Sequence, residues 1–82
     1  MNYDTDTPEG LENSMIWTRM TLRMIKPGGV WAIHRSNTFV YPDQENMTAR
    51  VVLGTQLEYA LIDVLKALGY TVTIEGENHD RF

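Results

Sequence analysis

Leu22–Pro42 reads LRMIKPGGVWAIHRSNTFVYP, and its interpretation sets the layout of the whole chain. A helix-like run halts at Lys26-Pro27-Gly28-Gly29. The residue before a proline is pushed out of the helical region, and glycine permits the left-handed exit that ends a helix. The residues after Gly29 alternate in the manner of a strand. Trp31, Ile33 and Arg35 fall on one side, and Val30, Ala32 and His34 on the other. Strands are therefore expected over Val30–Arg35 and Thr38–Tyr41, with Ser36-Asn37 as a two-residue hairpin turn.

Upstream of this stretch, Thr7-Pro8-Glu9 is a helix start. The hydroxyl caps free N–H groups, proline suits the first turn, and the carboxylate meets the positive helix end. The spacing predicts a helix from about Pro8 to Ile25 with two apolar faces. Leu11, Met15, Leu22 and Ile25 form one face; Ile16, Trp17, Met20 and Met24 form the other. Glu12, Arg19, Arg23 and Lys26 make a charged strip between them. A surface helix ordinarily carries one apolar stripe. The second stripe packs either on the chain's own sheet and tail or on another molecule. Its Met and Trp content suits an interface, with Arg19 and Arg23 beside it.

Downstream, Pro42-Asp43-Gln44-Glu45-Asn46 is dense in turn formers, and Met47–Leu53 reads as a third strand. Gly54-Thr55-Gln56-Leu57-Glu58 opens a second helix with the spacing of a capping box, Thr55 and Glu58 being its two members. Leu57, Ala60, Leu61, Val64, Leu65 and Leu68 form a single buried stripe, and Gly69 stops the helix. Tyr70–Glu75 alternates as a fourth strand. Residues 1–7 and 77–82 are polar and expected to be flexible, leaving one domain over 8–76. The order α-β-β-β-α-β predicts an α+β fold, with helices on one face of a mostly antiparallel sheet.

Composition narrows the function classes. Eighty-two residues make one small domain, and 43% hydrophobic content is a globular value. Without cysteine, neither disulfides nor thiolate metal sites can staple it. Small unstapled domains often gain stability by association. Eleven acidic residues against seven basic ones give a net charge of −4, which argues against a general phosphate-neutralising protein. Met1-Asn2-Tyr3-Asp4 lacks the basic region and apolar core of a secretory signal, so a cytoplasmic location is expected. No apolar run approaches the roughly 20 residues of a membrane span.

Chemistry-bearing patterns are sparse. His34, His79 and Asp80 do not have a metal-binding spacing. His34 has Ser36 and Asp43 nearby in sequence, but no motif joins them as nucleophile, base and orienter. No catalytic residue, metal or cofactor is expected. Trp31, His34, Arg35, Phe39, Tyr41 and Arg50 could supply a sheet that stacks on single-stranded bases, although strand alternation divides them between faces. From that set, Arg35, Phe39, Tyr41 and Arg50 are the candidates for such a nucleic-acid site. Mimicry of nucleic acid by the carboxylates is a further alternative.

The run Leu22-Arg23-Met24-Ile25-Lys26-Pro27-Gly28-Gly29-Val30 resembles the helix-to-strand turn late in class I S-adenosylmethionine methyltransferases. Leu61–Ile74 is similar to their last helix and strand. The resemblance implies a nucleoside-cofactor domain. However, the family's glycine-rich cofactor loop and acidic ribose-binding residue have no counterpart here, so neither the cofactor nor the activity is carried over. The expected function is a non-enzymatic protein-interaction module. It would bind another protein or itself as a homodimer through Ile16, Trp17, Met20 and Met24 with the nearby sheet edge. In size and composition it resembles the accessory proteins with which bacteriophages inhibit or modulate host machinery.

Overall fold

A computed structural model describes residues 5–56 and 58–76. The ends expected to be flexible, 1–4 and 77–82, lie outside the described residues, as does Leu57 of the second helical stripe.

The first helix, α1, spans Pro8–Arg23 and starts as its sequence requires. Pro8 occupies the first turn, and the Gly10 N–H donates to Thr7 Oγ1 at 3.0 Å. It ends two residues before the predicted Ile25. The last turn tightens as the Met24 N–H reaches Thr21 O (3.1 Å) and the Ile25 N–H reaches Leu22 O (3.2 Å). Gln44 Nε2 also donates to Leu22 O at 2.6 Å, tying the helix end to a distant turn. Lys26–Gly29 then forms a reverse turn closed by Gly29 N–H to Lys26 O at 2.8 Å. Gly28 supplies the positive φ of +79° that follows proline in a type II turn.

The four strands are β1 (Trp31–Ile33), β2 (Thr38–Asp43), β3 (Thr48–Leu53) and β4 (Thr71–Gly76), in that spatial order. β1 with β2 and β2 with β3 pair antiparallel, while β4 runs parallel to β3. The parallel pair follows from the connection. The second helix, α2 (Tyr59–Ala67), carries the chain back to the start of the sheet, as a crossover must. The sheet is thus mixed, and the α+β class holds.

Register divides each strand into an inner and an outer set. Trp31, Val40, Val51 and Ile74 form one inner row; Ile33, Thr38 and Leu53 begin the next. These meet Leu22 of α1 and Leu61 and Leu65 of α2 in one core, with Ala49 and Tyr70 completing it. Fully burying a Val or Leu side chain contributes roughly 1.5–3 kcal/mol, so this cluster dominates stability. α1 faces it through the expected side, but Ser14 and Thr18 are buried beside Leu22. In α2 the buried set includes Ile62 as well as the expected Leu61, Val64 and Leu65.

Three local expectations are corrected. The first strand is shorter than Val30–Arg35, because His34–Ser36 winds into a 3-10 turn and Asn37 takes the left-handed conformation (φ 53°). Buried Ser36 drives this turn. Its Oγ donates to Thr38 Oγ1 at 3.0 Å, and its carbonyl accepts from the Thr55 N–H (2.8 Å) and Thr55 Oγ1 (3.2 Å). Those same bonds dissolve the expected capping box. Thr55 is committed to Ser36, Glu58 turns to Arg35, and α2 starts only at Tyr59 without a side-chain cap. Finally, β2 continues to Asp43 through Pro42, which pairs with Ala49. Proline is accommodated because β1 stops opposite Val40, so no N–H is needed on that side. Asp43 instead opens the turn: its Oδ1 accepts from the Asn46 N–H (3.1 Å) and its Oδ2 from Asn46 Nδ2 (2.8 Å).

Candidate functional site

At 3.6 residues per turn, the side of α1 opposite Thr18 carries Asn13, Trp17, Met20 and Met24 within about 60° of one another. Ile16 lies just beyond, and Glu12, Arg19 and Arg23 follow on the same flank. The four apolar members stay outside the core: Ile16 is 46% exposed, Trp17 56%, Met20 54% and Met24 84%. Arg19 and Arg23 are exposed beside them. The two stripes read from the sequence are therefore on separate surfaces. One reaches the core through Leu22 and Ile25, and the other faces outward.

The outward stripe does not stand alone. Trp17 and Thr21 form one wall of a 370 Å³ cleft, and Trp31, Ala32, Ile33, His34 and Arg35 form the other. Strand β1 is the edge of the sheet, so its outer side has no strand partner among the described residues. The cleft joins a helix face to a sheet edge, and its lining is mostly apolar. Thr21 is the residue that sequence reasoning missed. Its Oγ1 donates back to Trp17 O at 3.0 Å, and the residue lines the cleft one turn from Trp17. The signal was present in the spacing, since Thr21 follows Trp17 by one helical turn.

The nucleic-acid candidates are distributed differently. Phe39, Tyr41 and Arg50 share the sheet face away from the helices, with Tyr41 opposite Arg50 and Phe39 opposite Val52. Trp31 lies on the helix side, and His34 and Arg35 are in the 3-10 turn. Arg50 is already engaged. Its guanidinium sits 4.5 Å from the Tyr41 ring centre and 3.4 Å from Glu75. Arg35 approaches Glu58 at 3.5 Å, with the carboxylate buried and the guanidinium half in water. The open face thus offers aromatic surface with its cation balanced by Glu75, and Asp43 adds a further carboxylate. Hydrogen bonds from Asn46 hold the Asp43 carboxyl below its usual pKa, so that charge persists.

Among the described residues no group of three His, Asp or Glu side chains is placed to hold a metal ion; His79 and Asp80 lie outside them. Among the described residues, too, no helix is long and apolar enough to cross a membrane. No known protein family, curated protein or solved structure matches this chain.

Proposed function

We propose that the chain is a non-enzymatic protein-interaction module of the type of small phage accessory proteins, binding and modulating another protein, pairing with a second copy of itself, or both. The carrying observation is the outward stripe of α1. Ile16, Trp17, Met20 and Met24 are exposed together, while the same helix meets its core obligations through Leu22 on the other side. Isolated surface hydrophobics are ordinary, but a contiguous patch with Trp and Met at its centre marks an interaction site. The adjoining cleft extends the patch to the β1 edge, whose outer side has no strand partner among the described residues, so that a partner can also meet backbone groups there. Arg19 and Arg23 form its rim.

The test compares stability with capture. Trp17→Ala combined with Met20→Ala should shift stability by less than about 1 kcal/mol, because neither side chain belongs to the core. Leu61→Ala, in the core, should cost about 2–5 kcal/mol. Immobilised wild-type chain in lysate of its native host should retain a stoichiometric protein that the double variant loses. A double variant that unfolds, or that retains the same protein as wild type, would refute the reading.

A further inference from the structure

We infer that a second copy of this chain covers the α1 stripe, the two helices docking antiparallel across a two-fold axis. This inference rests on the reading of that stripe as an interaction surface and names its occupant. The stripe is close to self-complementary when reversed. Asn13 and Met24 have the same midpoint in sequence as Trp17 and Met20, between Thr18 and Arg19. Placed on a two-fold axis at that midpoint, each Trp17 meets the Met20 of the other copy, and each Met24 covers an Asn13. A two-fold contact requires this reciprocity, residue i meeting j and j meeting i. Trp against Met is also a favourable aromatic–thioether pair.

Charge supports the same arrangement. α1 carries Glu9 and Glu12 in its first half and Arg19 and Arg23 in its second, all exposed. Antiparallel helices bring like flanks of the two copies together in reverse order. Glu12 then approaches Arg23 of the second copy, about two residues or 3 Å out of step along the axis, within reach of these long side chains. The contact is made twice, and the helix dipoles oppose favourably. A parallel two-fold pair would instead put these flanks on opposite sides of the contact, so that Glu12 of one copy would not meet Arg23 of the other. The two Arg19 side chains come near the axis, but Arg19 lies furthest round from the stripe and extends into water.

Sedimentation equilibrium from micromolar to several hundred micromolar tests the inference. Wild type is expected to dimerise. Trp17→Ala should weaken the dimer at least about 100-fold, since each dimer loses the side chain twice. Glu12→Arg and Arg23→Glu should each weaken it roughly tenfold, because each sets like charges across both contacts. Mixing the two variants should restore a one-to-one heterodimer. At one contact the introduced arginine meets the introduced glutamate, and at the other the native Arg23 meets the native Glu12. The restoration should fade in high salt. A monomeric wild type, a dimer indifferent to Trp17→Ala, or a mixture no tighter than its components would overturn the inference. If a monomeric wild type still loses its captured protein on Trp17→Ala, the second copy is refuted while the interaction module stands.

Discussion

Gly54→Ala is the sharpest test of how the turn between β1 and β2 is held. Gly54 needs no unusual backbone angle; its constraint is space alone. A Cβ there would lie 2.5 Å from Ser36 O and 2.7 Å from the Asn37 carbonyl carbon, with Asn37 O closer still. All three are backbone atoms, so no flexible side chain can yield. The 3-10 turn must move away, and the two bonds from Thr55 to Ser36 O must lengthen or break. Forcing extra atoms into a packed site costs about 1–3 kcal/mol, and each lost hydrogen bond about 1 kcal/mol. We therefore expect a loss of about 3 kcal/mol, which in a domain of this size lowers Tm by roughly 12–24 °C. Thermal and urea unfolding followed by far-UV circular dichroism measures it. Gly28→Ala is the control. No atom lies within 4 Å of its Cβ, so only its positive φ of +79° resists, at about 1 kcal/mol. Equal losses at the two glycines, or a Gly54→Ala protein within about 0.5 kcal/mol of wild type, would refute the close-approach argument.

Two further expectations concern charge. Arg35→Ala removes the partner of buried Glu58 and should cost about 1–2 kcal/mol, moderated by the solvent around Arg35. Adding Glu58→Gln should recover part of that loss, since an amide needs no counter-charge; an additive loss in the double variant would sink the explanation. Asp43 should titrate below the ordinary carboxylate value of 3.8 in a carbon-detected NMR titration, because Asn46 stabilises its ionised form. A lowered folded-state pKa contributes stability that is present above 3.8 and lost as pH falls through the folded value. Asn46→Ala should move the midpoint upward toward 3.8, and an unmoved midpoint would exclude the side-chain bond as the cause.

Local chemistry made much of the architecture legible. Thr7 and Pro8 start a helix wherever they precede a periodic apolar run, and Pro27-Gly28 stops one whatever lies around it. Alternation in β4 showed its two faces, and the 3.6 period showed both stripes of α1. These features depend on neighbours within a few residues. The sequence by itself therefore determined the element order, the α+β class and the existence of a second apolar helix face.

Tertiary contacts decided the rest. Ser36-Asn37 looked like a hairpin turn and Thr55–Glu58 like a capping box, because each motif is adequate in isolation. They lie 19 residues apart, and folding sets Thr55 on the Ser36 carbonyl and Glu58 on Arg35. A side chain that satisfies a distant buried group cannot also cap its own helix. Only the fold could show that the Ile16–Met24 stripe faces outward beside the β1 edge, since burial depends on where the other elements pack.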